Sequence, residues 1–516
     1  MPEHLRALTI ILVLAGPVFV FAKVPACASA TTAADFERRR NLWFAITLVA
    51  FLAHNFWVYI AVTAALLLFA LPRESNRFAM FFFLLFAVPA IPGEIPGFGV
   101  IDHFFTIHYV RLLVLVVLLP AFLSLLTKPD TEPFGRSIAD KLLAGYLVLD
   151  FVLQLRADTF TNSVRHGVFY GFTDAFLPYY VASRSLKTLG AFRDALMAFV
   201  VAGFILAATG AFEFARSWLL YTSLEDALAT PWGITKYLRR GVNLRALATV
   251  GQPIALGYVL AIALGFYLYL QRSVPGRMSW GLGLLLLIAG LIGALSRGPW
   301  LGAVLILLLF IALGPSAGPR LAKLALLGVV TAMALLVSPM AHTIIDHLPF
   351  IGTIDERNVV GRQRVLEVSL QVIGQNPFFG SFHARASEEM EALRMGDGVI
   401  DIVNTYMGIA LSHGFVGLGL FAGFFIAVAV GIFRAMRGIA DRTSEQHLLG
   451  QALLAALLGI LFMIFTVSSI TVIPMVYWCV AGLGVGYVHL LAPAAAPHAA
   501  RAARYQPEPA VMKSKS

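Results

Sequence analysis

Apolar runs long enough to cross a bilayer, about 17–25 residues, recur along almost the whole chain and are separated by short polar links. They fall near 7–22, 42–71, 78–92, 107–127, 142–156, 169–183, 194–214, 252–271, 279–295, 300–314, 321–338, 402–433, 448–467 and 472–491. The pattern predicts an all-α polytopic membrane protein of about 12–14 transmembrane helices. The run at 42–71 is too long for one comfortable span. His54-Asn55 in its middle points to a tight hairpin or to a strongly tilted helix, and the side of the N-terminus stays open with that choice. The first run precedes small residues, as a signal peptide would, but the leading MPEHLR is only weakly basic. An uncleaved first helix is therefore expected. One membrane domain over 1–491 accounts for the pattern, and the Ala- and Pro-rich tail at 492–516 is expected to be disordered and cytoplasmic.

The links orient the spans. Lys and Arg collect at Arg73 and Arg77, at Lys128, Arg136 and Lys141, at Arg184, Lys187 and Arg193, at Arg272 and Arg277, at Arg320 and Lys323, and at Arg434, Arg437 and Arg442. The alternate links 92–106 and 467–472 hold neither residue. Positive links inside and neutral ones outside form a consistent alternation. On that orientation two long polar segments, 215–251 and 339–401, fall on the periplasmic face.

Composition then removes several classes of function. Of the 516 residues, 59% are hydrophobic and 13% charged, whereas a soluble domain carries roughly a quarter charged residues. The bilayer, rather than a soluble core, organises this fold. The net charge of +10 follows from the basic links and does not point to nucleic acid. Cys27 and Cys479 have neither metal nor redox spacing, and no disulfide is expected between them. The chain has no P-loop, no HExxH zinc motif and no Asp-x-Asp pair. A reaction without metal or other cofactor fits these absences.

The outer segments hold arginines that the positive-inside rule does not explain. Lys236, Arg239, Arg240 and Arg245 approach the span that starts near Gln252-Pro253. Arg357, Arg362, Arg364, Arg385 and Arg394 lie in the second segment. Ser296-Arg297-Gly298-Pro299-Trp300 separates two apolar runs at their outer ends. A charge truly inside the membrane there costs about 2.5–3.5 kcal/mol. Pro299 suits the first turn of the later helix, where its missing N–H goes unnoticed. Guanidinium groups bind phosphate oxygens bidentately and stay charged at any working pH. An enzyme handling a lipid diphosphate needs them to hold the headgroup and to stabilise the leaving diphosphate. The plain alternative is that these are ordinary solvated loop arginines. Asp174 and Arg184, in a short aromatic span with Tyr179 and Tyr180, and Glu213 at a helix end, are weaker candidates that pairing alone would explain. Gly414, Gly417 and Gly419 are expected to allow close helix contact.

Four pieces, in order, resemble the O-antigen ligase/polymerase superfamily of bacterial envelope enzymes. They are Arg245 with Gly251-Gln252-Pro253; Ser296-Arg297-Gly298-Pro299-Trp300; Gly361-Arg362 with Asn376-Pro377-Phe378-Phe379-Gly380; and Asn404-Thr405-Tyr406 with Gly414-Phe415-Val416-Gly417. The resemblance covers roughly 245–420. It implies inverting glycosyl transfer on the periplasmic face of the bacterial inner membrane. The donor would be a glycan on undecaprenyl diphosphate, and the acceptor another glycan or lipid A core. Other polysaccharide assembly proteins would be neighbours. By this resemblance Arg245 and Arg297 contact the diphosphate, and Arg362 helps build a loop that closes over the site. Arg240, Asn404 and Tyr406 complete the expected binding set.

One position departs from the family pattern. Ligases of this kind carry a histidine immediately before the asparagine of the fourth piece, where this chain has Val403. A valine moves no proton, so Asp401 and His413 are the substitute candidates for a base. Asp401 lies two residues from the expected position and so on another face of a helix. His413 lies well into the span, where a packed, satisfied histidine is the plainer reading. The missing histidine favours a polymerase of O-antigen or exopolysaccharide over a ligase. A lipid-linked oligosaccharide transporter and an inactive scaffold are the rivals from other classes.

Overall fold

The computed structural model describes residues 2–99, 101–230, 237–337, 356–394, 400, 402–470 and 472–492, with backbone alone at 332, 334–337 and 356–360. The 492–516 tail therefore lies, but for its first residue, outside the described residues.

In chain order the first eight helices are α1 (Glu3–Ser29), α2 (Ala33–Leu52), α3 (Phe56–Arg73), α4 (Arg77–Leu84), α5 (Tyr109–Leu126), α6 (Ile138–Ala157), α7 (160–185) and α8 (Leu189–Arg216). There follow α9 (Pro253–Ser273), α10 (Arg277–Gly293), α11 (Arg297–Ala312), α12 (Ala317–Val337), α13 (Glu356–Gln375), α14 (Thr405–Arg437), α15 (Glu445–Met463) and α16 (Ile473–Leu491). Among the described residues eight are long and apolar enough to cross a membrane: α1, α3, α5, α8, α9, α14, α15 and α16. The apolar α10 and α11 are shorter. The chain is thus an all-α polytopic membrane protein. Helices α8, α9 and α16 are its most enclosed spans, while α1, α3 and α14 turn much of their apolar surface outward.

Local chemistry explains where the helices break. The long run at 42–71 is a hairpin: His54 takes φ 50°, and the Asn55 side chain accepts the Trp57 and Val58 amides at 2.9 and 3.1 Å, capping α3. The run at 78–92 is helical only to Leu84. Pro89 and Pro92 lack the donor a helix needs, and the chain passes into an antiparallel hairpin, β1 (Gly93–Pro96) and β2 (His103–Ile107). Helix α5 widens to π geometry over Val114–Leu118, and α7 does so over Val164–Tyr170 and Phe172–Phe176. Pro120 and Pro178 follow two of these stretches within two residues. A proline ring crowds the carbonyl four residues earlier, and a wider turn accommodates it.

The basic links gather at one end of the bundle. Buried Arg39 bridges Glu74 (2.6 Å) and Asp194 (2.7 Å), tying α2 to the ends of α3 and α8. Arg193 binds Glu445 at 2.5 Å and the Ser29 carbonyl, and Arg272 donates to the Thr443 carbonyl at 2.9 Å. Arg184 pairs with Asp140 at 2.8 Å, and Asp174 pairs with Arg111 at 2.5 Å. Those two sequence candidates are therefore engaged in ion pairs between helices. The N-terminus lies at the other end, where Glu3 accepts the Trp218 indole N–H at 3.1 Å and His4 meets His54 edge-on.

Candidate functional site

The turn between α10 and α11 is the centre of the candidate site. Leu295 stands at φ 44°, a conformation that costs an L-residue free energy and persists only where neighbours enforce it. Three partners do so. Arg240 donates to the Leu295 carbonyl at 2.7 Å, Arg245 donates to the Ser296 hydroxyl at 2.9 Å, and the Ala246 amide donates to the Gly293 carbonyl at 3.0 Å. The Trp300 indole N–H reaches back to the Leu291 carbonyl at 2.6 Å. The arginine-bearing segment 239–246, which opens with a short antiparallel hairpin, is thereby laid across the turn that presents Arg297. Arg240, Arg245 and Arg297 are all half-buried.

The next residues are fixed by Glu213. Its two carboxylate oxygens accept the amides of Leu220, Leu247 and Ala248 at 3.0, 2.9 and 2.8 Å. Glu213 thus anchors the turn that follows Arg245. Thr249 donates to the Phe86 carbonyl at 2.8 Å, Gly251 supplies φ 73°, and Pro253 opens α9. Further along α9, Gly257 lets Pro299 approach: a Cβ on Gly257 would lie 2.8 Å from the Pro299 ring. Likewise a Cβ on Gly298 would collide with the Thr466 hydroxyl, after the end of α15. Close to Thr466, the Thr405 amide donates to the Ile464 and Val467 carbonyls at 2.9 and 3.1 Å. The first, second and fourth sequence pieces therefore converge at one end of the bundle, opposite the basic links.

The third piece meets the fourth elsewhere. Gly414 breaks α14 with φ 64° and ψ −167°, leaving amides beyond it without a helical partner. The segment 376–380 supplies them: the Phe415 amide donates to the Pro377 carbonyl at 2.7 Å and the Val416 amide to the Phe378 carbonyl at 3.1 Å. The close-contact reading of the three glycines needs correction. Gly414 serves backbone conformation, Gly417 lies against His413 and Leu149, and Gly419 has open space where a Cβ would be.

The remaining site candidates fall into place individually. Asn404 spends its side chain as the N-cap of α14, accepting the Met407 amide at 3.1 Å. Tyr406 donates its hydroxyl to the Leu461 carbonyl at 2.8 Å. Both are tied into the scaffold beside the arginine turn. His413 is buried, with Nε2 2.7 Å from Asp150 Oδ1, Nδ1 2.8 Å from the Ser412 hydroxyl, and its ring stacked on Tyr146. Arg362 is exposed on α13, which packs on α14. Asp401 and Lys236 lie outside the described residues. Sequence reasoning missed Asp150, although a carboxylate within an apolar run at 142–156 is a signal in itself. It also missed that Ser296 is the partner of Arg245. Among the described residues, no three His, Cys, Asp or Glu side chains form a metal-holding group.

Fold and site together define a polytopic membrane protein that presents a rigid, arginine-rich turn at one end of its helices. Residues 282–422 match the family model described as O-antigen ligase (Wzy_C). Over that stretch the chain is similar to the O-antigen ligase family. The match takes in the Ser296–Trp300 turn and α14 as far as residue 422, and begins after Arg245. Among curated proteins none matches the chain.

Proposed function

We propose that this protein polymerises O-antigen or exopolysaccharide repeat units at the periplasmic face of the bacterial inner membrane. It does so by inverting transfer from undecaprenyl-diphosphate-linked glycan to the hydroxyl of another glycan. One observation carries this reading: Arg240 and Arg245 are bonded to the same strained turn that begins the helix of Arg297. Guanidinium groups held in fixed positions are arranged in advance for a diphosphate, whose negative charge grows as the glycosidic bond breaks. In this mechanism Arg245 and Arg297 take the diphosphate oxygens, and no metal shares that work. The acceptor needs a base, and Asp401, three residues before Asn404 in the sequence, is the candidate we favour. His413 is enclosed by Asp150, Ser412 and Tyr146 farther along the helix. Val403, in place of a histidine, supports polymerisation over ligation to lipid A core.

The test combines cells and purified protein. Arg297→Ala, at normal protein level, should collapse long surface chains to single repeat units on a gel. In vitro turnover of lipid-linked repeat units should fall about 10²–10³-fold, the usual loss for one preorganised charge-stabilising donor. Wild-type turnover should survive EDTA. Unchanged chain length in the variant removes Arg297 from the mechanism. Long chains that stay on the carrier lipid when the protein is missing make it a ligase instead.

A further inference from the structure

A cavity lies in elements that precede the stretch matched by the family model. It measures about 870 Å³ and is enclosed by the β1–β2 hairpin, the start of α5 and the start of α7. Small-molecule sites span about 300–1,000 Å³.

Its wall is built around two arginines that are almost fully enclosed, Arg111 at 5% and Arg165 at 7% exposure. Arg165 donates to the Phe104 carbonyl at 2.8 Å, to Asn162 Oδ1 at 2.8 Å and to the His103 carbonyl, pinning the hairpin to α7. Arg111 pairs with Asp174 and lies 3.8 Å from the Tyr170 ring centroid, and Tyr170 in turn accepts the Thr106 amide at 2.8 Å. His108 is half-buried in this wall, and its Nδ1 accepts the Arg111 amide at 3.2 Å. The wall is held before any ligand arrives, which lowers the ordering cost of binding.

The lining selects among ligand classes. Among the described residues Ile101 is its only aliphatic side chain, so an acyl chain is poorly matched there. Exposed Glu94 and Asp102 share the lining with the two arginines, so neither a simple anion nor a simple cation is matched. Fixed N–H donors, carboxylate acceptors, threonine hydroxyls and ring faces together suit a ligand whose every group both donates and accepts, with C–H faces between. A sugar chain has that chemistry. The position agrees: His383, in the loop after Gly380, meets the Ala157 carbonyl at 2.9 Å, next to the cavity's Thr159.

We propose that this cavity binds a segment of the glycan chain, a polyhydroxylated oligosaccharide, separately from the diphosphate at the arginine turn. That the glycan reaches this end of the bundle rests on the function proposed above. The cavity would hold a chain between successive additions.

The test uses the full-length protein in lipid nanodiscs and two probes, inorganic diphosphate and the lipid-free oligosaccharide released by mild acid from the surface polysaccharide of the producing cell. Thr161→Trp fills the cavity without removing any bond of its wall. The paired change Glu94→Gln and Asp102→Asn removes only the two rim charges and guards against misfolding of the first variant. Either should weaken oligosaccharide binding about tenfold or more, the loss expected for a charged hydrogen bond, and leave diphosphate binding unchanged. Arg297→Ala should do the reverse. Oligosaccharide affinity equal to wild type in both cavity variants overturns the inference, as does a wild-type protein that binds no oligosaccharide. Diphosphate affinity unaltered by Arg297→Ala counts against the proposed function alone.

Discussion

At the scale of single residues, the backbone of Gly414 decides how the fourth motif works. Its φ of 64° with ψ of −167° falls in a region open essentially to glycine. Gly380 at φ 61° closes the facing loop against it. A Gly414→Ala change would meet both the conformational cost, of order 1–3 kcal/mol, and the Phe378 carbonyl. The purified variant should therefore melt several degrees lower and lose polysaccharide synthesis. Gly419→Ala, five residues on in open space, should melt as wild type does. Equal melting of the two would show that the break at Gly414 stores no strain. The motif itself was legible from spacing, but its purpose was not. A Gly-x-x-Gly inside an apolar run reads as helix packing, and only the docked segment 376–380 reveals a broken helix whose amides are satisfied from outside.

Between elements, the join of α14 to α15 separates scaffold from site. Tyr406 carries one hydrogen bond, to the Leu461 carbonyl, and such a bond contributes about 0.5–1.5 kcal/mol. Tyr406→Phe should lower stability by that amount and leave the KM for lipid-linked glycan unchanged if the hydroxyl only ties helices together. A KM raised tenfold at unaltered stability would return Tyr406 to the substrate-binding set. Sequence pattern served unevenly at this scale. The long run at 42–71 could be seen to need a break, and His54-Asn55 marked it, because a capping side chain is local chemistry. The short α4 and the widened turns of α7 were hidden, since 78–92 is apolar throughout, 169–183 is mostly aromatic and apolar, and the prolines act on carbonyls four residues away. The pairing of Arg245 with Ser296, fifty-one residues apart, lies beyond any periodicity.

Across the whole molecule, charge and architecture agree on one axis. Arg39, Arg193, Arg272 and Glu445 knit one end, while Arg240, Arg245 and the Leu295–Arg297 turn occupy the other. The α2–α3 hairpin fixes the side of the N-terminus, which the apolar pattern had left open, at the arginine-turn end beside Trp218. If the basic links face the cytoplasm, then the N-terminus, the 239–244 hairpin and the site all face the periplasm. Single cysteines in a Cys27→Ser, Cys479→Ala background read this out. Pro2→Cys and the exposed Val242→Cys should react with an impermeant maleimide on intact spheroplasts, and Ala440→Cys, exposed at the other end, only after permeabilisation. The opposite pattern would place the arginine turn in the cytoplasm, away from flipped lipid-linked glycan, and the polymerase mechanism would fail with it. A split result, with Pro2 and Val242 on different sides, would contradict the Glu3–Trp218 contact and the hairpin that produces it.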